Sequence, residues 1–326
     1  MKRPVTIIVC YSLAILSAVC GFGSRVRATR QDKPKYGDNI SGQARLEYHE
    51  GFLFVVGKVT GGRSNYYLMD CGSGSTIIAK ACLPETITVT PLSDSSDIAG
   101  GGVDPILGFA GTIPGYLGYA NVPDLLFGSL KFHDVPIKVV ADLPDVGGKP
   151  ICGIIGMDVL ACAAVVSFSY PGRFHKSARL VFSSRDEIDY PNAVEIPFTI
   201  VNNHIIISGN VNDIPVEFIL DIGSPGNIIM PAPAAAAGLA IDTTFRVEFS
   251  GLDGIQISGR LGMVDRLGLG KAVFRDISFC VAEMPTLGAP GTKKNIGIIG
   301  NEFLSRFHSV VLDYEREVVL LITGKQ

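Results

Sequence analysis

Short apolar runs broken by Gly and Pro recur along the whole chain, and few are long enough to predict a helix. Phe52-Leu53-Phe54-Val55-Val56-Gly57, a turn at Gly61-Gly62 and Tyr66-Tyr67-Leu68-Met69 read as a hairpin that ends at Asp70. The same order returns as His204-Ile205-Ile206-Ile207-Ser208-Gly209, a turn around Asn212-Asp213 and Val216-Glu217-Phe218-Ile219-Leu220, ending at Asp221. Each predicted hairpin therefore delivers an Asp at the end of its second strand. The Ala-rich stretch Pro233 to Leu239 predicts the one short helix of its unit.

The repetition extends well beyond the hairpins. Asp70-Cys71-Gly72-Ser73 runs on to Ile77-Ile78, and Asp221-Ile222-Gly223-Ser224 runs on to Ile228-Ile229. Further along stand Gly153-Ile154-Ile155-Gly156-Met157-Asp158-Val159-Leu160 and Gly297-Ile298-Ile299-Gly300-Asn301-Glu302-Phe303-Leu304. Each unit then closes with two apolar strands, Val165-Val166 and Arg179 to Phe182 in the first, Val310-Val311 and Val318 to Leu321 in the second. The two Asp are 151 residues apart and the two Gly-Ile-Ile-Gly segments 144 apart, a period too long for a solenoid. The reading is an all-β protein of two related lobes, residues 46–184 and 185–326, joined near Ser183 to Val194.

Composition agrees with this picture. Apolar residues make up 47% and charged residues 18% of the 326, enough for a sizeable core. Lys2 and Arg3 precede an apolar run from Val5 to Val19, the pattern of a secretory signal peptide. Residues 1–28 are expected to be removed, after Cys20 or Ala28, or to stand as a detached apolar helix that anchors the protein to a membrane. Residues 29–45 are polar and read as a linker or flexible arm. The protein is thus expected to be exported. Loss of the first 28 residues takes the net charge from −3 to −7, which does not suit nucleic acid. Five Cys would remain, and their odd number gives no clean disulfide framework. Cys152 and Cys162 are candidates for a bridge, or for a pair of small buried apolar residues.

A lone Asp-x-Gly carries no chemistry, since an Asp at a strand end ordinarily caps local N–H groups. Two copies with matched hairpins and matched Gly-Ile-Ile-Gly segments can bring two carboxylates face to face, as acid–base hydrolysis needs. Over residues 50 to 325 this arrangement resembles the retropepsin-like and pepsin-like aspartic proteases. The resemblance implies a bilobal, acid-protease-like β-barrel fold with an internal pseudo-two-fold repeat. It implies Asp70 and Asp221 as the catalytic pair, supported by Gly72, Ser73, Gly223 and Ser224, with each Ser hydroxyl on the outer oxygen of its Asp. It also implies a Gly-rich flap over the cleft. The stretches in the right intervals are Gly100-Gly101-Gly102 through Tyr119, with Tyr116 and Tyr119 as substrate contacts, and Ser250-Gly251-Leu252-Asp253-Gly254. One departure stands out. The residue after each Asp, normally Thr or Ser, is Cys71 in one loop and Ile222 in the other. Cys71 is expected to make only a weak hydrogen bond and Ile222 none, so the lock between the loops should be packing or be missing.

Other chemistries lack their signatures. The five His show no His-Glu-x-x-His spacing, and no metal or other cofactor is expected. Gly268-Leu269-Gly270-Lys271-Ala272 is no P-loop, and no Gly-x-Ser-x-Gly elbow occurs. The expected activity is that of an aspartic endopeptidase on peptide or protein substrates, in a monomer whose lobes pair within the chain. A silent member of the same fold that binds extended peptides in the cleft is the alternative.

Overall fold

A computed structural model describes residues 7–10, 15–16, 40–91, 106–107, 113–172, 177–184, 193–286 and 296–323. The expected flap glycines Gly100 to Gly102, most of the arm before residue 40 and most of the junction between the lobes lie outside these residues.

Each lobe opens with three consecutive antiparallel strands. In the first they are Gly42–His49, Phe52–Val59 and Asn65–Met69; in the second, Val194–Val201, His204–Val211 and Ile214–Leu220. Tight turns join them at Glu50-Gly51, Asn202-Asn203 and Asn212-Asp213, all with positive φ, the geometry that matches strand twist and favours Gly, Asn and Asp. The strand at Gly42 corrects the extent of the expected arm. Residues 42–45 pair with 179–182 rather than hanging free.

The lobes are joined by a six-stranded antiparallel sheet. Its order is Gly42–His49, Ala178–Ser183, Val165–Ser169, Ser309–Asp313, Val318–Ile322, Val194–Val201. The central pair comes from different lobes, with Ser167 opposite Val311, and each lobe supplies three equivalent strands on either side. The pseudo-two-fold inferred from the repeat thus runs through this pair. Its core residues Val165, Val166, Val310 and Val311 are essentially inaccessible. An all-hydrogen-bonded sheet with apolar side chains holds the lobes as one unit.

Short helices of one turn or slightly more follow the repeated glycines and the Ile228–Ile229 strand. They are Met157–Leu160, Asn301–Leu304 and Pro231–Ala236. The Ala-rich helix is therefore displaced by two residues, because Pro231 at its first turn starts it early. It is also not alone in its lobe.

The cysteine pairing differs from expectation. Cys82 is bonded to Cys152, with Cα atoms 5.6 Å apart, and Cys162 is a free thiol donating to the Asp158 carbonyl at 3.1 Å. Gly153–Ile155 lies antiparallel to Ile77–Ile78, which sets Cys152 beside Cys82. Cys162 lies beyond the intervening one-turn helix.

In the second lobe Val247–Ser250 and Gln256–Val264 form a hairpin whose tip, Gly251, Leu252 and Asp253, is buried. Leu252 packs within an apolar cluster otherwise drawn from the first lobe, including Phe52, Phe54, Leu68 and Ile154. Two pieces of the expected leader are strands. Ile7–Cys10 runs parallel to Val247–Ser250, and Ile15–Leu16 pairs with Ile106–Leu107. An extended apolar chain can satisfy the free N–H and C=O groups of a strand edge, which a detached helix cannot. No helix among the described residues is long and apolar enough to cross a membrane.

Candidate active site

The two Asp loops are built by the same hydrogen bonds. Gly153–Ile155 runs parallel to Tyr67–Met69 beneath the first loop, and Ile296–Ile299 runs parallel to Glu217–Leu220 beneath the second. The Asp70 N–H donates to the Ile155 carbonyl and the Asp221 N–H to the Ile299 carbonyl, both at 3.0 Å. The Ser73 and Ser224 N–H groups turn back to the carbonyls of Asp70 and Asp221 at 3.2 and 3.3 Å. Met157 N–H then closes on the Ser73 carbonyl and Asn301 N–H on the Ser224 carbonyl, each at 2.8 Å. The invariant feature of both segments is a Gly where two backbones meet. A Cβ on Gly156 would lie 2.5 Å from the Ser75 carbonyl, and one on Gly300 2.1 Å from the Gly226 carbonyl. Only Gly permits that approach.

Asp70 and Asp221 are fully buried, and the Asp70 carboxyl lies close enough to act on the Asp221 pKa, while Cys71 from the first loop bonds the backbone on either side of Asp221. Burial drives the Asp221 carboxyl well above the ordinary carboxylate range. The Asp70 side chain and the N–H groups of Gly223, Ser224 and Gly72 pull the other way. The Gly223 N–H reaches Asp221 Oδ1 at 2.7 Å. Two carboxyls close together in a dry site hold one proton between them more readily than two charges.

A second tier of polar groups fixes each loop, and sequence reading missed it. The Thr76 N–H and hydroxyl donate to Asp158 at 2.8 and 2.6 Å, and the Gly156 N–H donates to Thr76 Oγ1 at 3.1 Å. In the second lobe the Gly300 N–H donates to Asn227 Oδ1 at 3.0 Å, and Asn227 Nδ2 donates to the Ser278 carbonyl at 3.1 Å. The Ser278 hydroxyl in turn bonds Glu302. The signal was present in the repeat. Thr76 and Asn227 both stand six residues after their Asp, and Asp158 and Glu302 both stand two residues after the conserved-looking Gly. Burial raises the Asp158 carboxyl to about 6, against the Thr76 and Val159 donors and the Lys138 charge.

Two expectations need correction. The Ser73 and Ser224 hydroxyls donate to the carbonyls of Ser75 and Gly226, both at 2.8 Å, and so brace the loop backbone. A hydroxyl has one proton to give, and each loop turns a carbonyl toward it. Nor is the lock between loops missing. Cys71 Sγ donates to the Leu220 carbonyl at 3.1 Å and accepts the Ile222 N–H at 3.3 Å. The thiol crosses from one loop to the other. Burial and the two nearby Asp keep it protonated, with its pKa far above the usual thiol range. Ile222 is fully buried in the main core.

Tyr116 and Tyr119 meet edge to face at 5.6 Å at the start of the long strand Tyr116–Phe127. Tyr116 packs beside the first-lobe cluster that receives Leu252, while Tyr119 faces solvent. Gly251 is buried at the hairpin tip, where its carbonyl accepts the Gly254 N–H at 3.1 Å. No group of three His, Cys, Asp or Glu able to hold a metal occurs among the described residues.

Residues 207–303, which contain the second Asp loop and its Gly-Ile-Ile-Gly segment, match the family model described as aspartyl protease. This part of the second lobe is similar to the aspartyl proteases. The fold of the chain is that of a solved aspartic proteinase. The crystal structure of aspartic proteinase from Irpex lacteus superposes with a TM-score of 0.55 at 15% identity, covering 87% of this chain and 98% of that one. Basic 7S globulin from soybean superposes with a TM-score of 0.50 at 11% identity, covering 88% and 97%. No curated protein matches the sequence.

Proposed function

We propose that this protein is an aspartic endopeptidase in which Asp70 and Asp221 share the proton work of peptide hydrolysis. The observation that carries the reading is their placement: two fully buried carboxyls on equivalent loops that Cys71 links, the Asp70 carboxyl close enough to act on the Asp221 pKa. The ionised member takes a proton from an attacking water, and the oxygen adds to the scissile carbonyl carbon. The protonated member donates to the carbonyl oxygen and polarises it. The proton taken from water then passes to the departing amine as the C–N bond breaks. No covalent intermediate is required, and the substrate is an extended peptide laid across the cleft between the lobes. The raised pKa of Asp221 supports the reading, because it leaves one carboxyl of the pair protonated in mildly acid solution. Gly72 and Gly223 supply N–H groups toward the dyad. Ser73 and Ser224 hold the loops in shape. We assign the protein to an exported, monomeric state, in keeping with the basic and apolar N-terminal segment.

The test is cleavage of an unfolded protein between about pH 3 and 7, the range in which a carboxyl dyad works. Wild type should cleave, and Asp70→Asn should not, while both give the same thermal unfolding. If folded wild type cleaves no peptide in that range, the enzymatic reading falls, and binding of an extended peptide by the folded protein then tests the alternative of a silent peptide binder.

A further inference from the structure

The side chain of Ile222 offers nothing to the opposite loop, yet its backbone N–H and carbonyl are both held. Its N–H goes to Cys71 Sγ at 3.3 Å. Its carbonyl accepts Asn301 Nδ2 at 2.6 Å. The same Nδ2 also donates to the Gly51 carbonyl at 2.8 Å, and Asn301 Oδ1 accepts the Tyr170 hydroxyl at 2.6 Å. Asn301 is fully buried, and its amide thus has both donor hydrogens and an acceptor lone pair in use. Gly51 and Tyr170 belong to the first lobe; Ile222 and Asn301 belong to the second.

The pseudo-two-fold axis shows how specific this is. Tyr170 directly follows the central strand Val165–Ser169, and Tyr314 directly follows its equivalent Ser309–Asp313. Asn301 and Met157 are likewise equivalent, each following the Gly of its Gly-Ile-Ile-Gly segment. The Tyr314 hydroxyl points at Met157 Sδ at 3.6 Å, a weak contact that carries nothing on to the first Asp loop. The polar chain Tyr170–Asn301–Ile222 exists only on the side of Ile222, the side chain that can make no hydrogen bond.

We propose that Tyr170 and Asn301 form a positioning latch that pins the 222 peptide from the opposite side to Cys71 and so sets Asp221 against Asp70. The latch replaces, through backbone, the side-chain hydroxyl that Ile222 does not have. Asn suits the position chemically. Asp would lose both donors, and a longer Gln would have to displace neighbours at a fully buried position. The titratable groups facing the latch are Cys71, Tyr170, Tyr48 and the dyad itself. Burial holds the Cys71 thiol and the Tyr170 hydroxyl in their neutral, donating forms. The inference rests on the protease reading for its kinetic test but not for its titration test.

The variants are Tyr170→Phe, which removes one hydroxyl and no volume, and Asn301→Met, which copies the first lobe. Each is made in the full chain, alone and with Ile222→Thr. By the pseudo-symmetry of Cys71 on the Leu220 carbonyl, a Thr hydroxyl there faces the Met69 carbonyl. On an unfolded protein substrate, Tyr170→Phe should lower kcat about tenfold with KM changed less than about twofold, the pattern of a transition-state-only loss. The two limbs of the pH profile should move toward each other, because carboxyls that drift apart titrate more independently. Ile222→Thr should recover most of the lost kcat in the Tyr170→Phe background. A loss that merely tracks the folded fraction, unshifted limbs, or no recovery would overturn the latch while leaving the protease reading standing. If wild type cleaves nothing, carbon-13 carboxyl titration of Asp70 and Asp221 decides. Two interacting titrations that Tyr170→Phe uncouples support the latch without the enzyme, and titrations that the variant leaves unchanged refute it.

Discussion

Cys71 Sγ and the backbone of Ile222, 151 residues apart in sequence, meet at 3.3 Å beneath the paired carboxyls. The same sulfur donates to the Leu220 carbonyl, so one thiol grips the second Asp loop on both sides of Asp221. Cys71→Ala should therefore cost about 1–3 kcal/mol in urea unfolding, since it leaves a buried N–H and a buried carbonyl unpaired. Cys71→Thr, which restores an oxygen donor and acceptor, should retain most of that stability. Equal destabilisation by Ala and Thr would mean that packing, not hydrogen bonding, is what Cys71 supplies.

Asp158 gives the fold a pH dependence with a definite sign. Burial raises its carboxyl from 3.8 to about 6, so the folded state binds its proton more tightly than the unfolded chain does. Its contribution to stability is full below about pH 4 and is lost as pH rises through about 6, a change of about 3 kcal/mol. The raised Asp221 carboxyl acts in the same direction. Urea midpoints measured from pH 4 to 7 should fall for wild type and fall less for Asp158→Asn.

The Cys82–Cys152 bridge closes 70 residues of the first lobe and ties the strand beneath Asp70 to the end of its loop. By loop entropy, its loss costs about 4 kcal/mol. Reduction, or the double change to Ala, should lower the urea midpoint accordingly and expose the first lobe to proteolysis before the second. A Cys152–Cys162 peptide in a non-reducing digest would contradict the pairing.

Leu252 reaches from the second-lobe hairpin into the first-lobe cluster and is only 4% exposed. Both catalytic candidates are inaccessible, so a peptide reaches them only if a neighbouring element moves, and this hairpin is expected to be that element. Leu252→Ala removes much of the apolar surface that holds it down, roughly 2 kcal/mol of burial. KM should fall and amide exchange over residues 247–264 should speed up. A rise in KM would make Leu252 a substrate contact rather than a plug.

The repeat alone determined the two-lobed β architecture and singled out Asp70 and Asp221 as the candidate pair. Both rest on local patterns, a hairpin that ends in Asp-x-Gly and an apolar strand after Gly, that read the same in each copy. The second tier was also written there, in Thr76 and Asn227 and in Asp158 and Glu302, but polar residues at matched places say nothing of what they bond until distances exist. Other features were settled only when strands far apart in sequence came together. Cys152 meets Cys82 because its strand lies antiparallel to Ile77–Ile78, a neighbour relation no spacing encodes. The Ser73 and Ser224 hydroxyls turn to the Ser75 and Gly226 carbonyls because the loop backbone presents an acceptor nearer than the carboxyl. Ile222 looked like a missing contact because a sequence displays side chains. The folded chain holds that loop by its peptide N–H and carbonyl, and every residue has those groups. Only the tertiary structure decides whether Cys71 and Asn301 stand where they can use them.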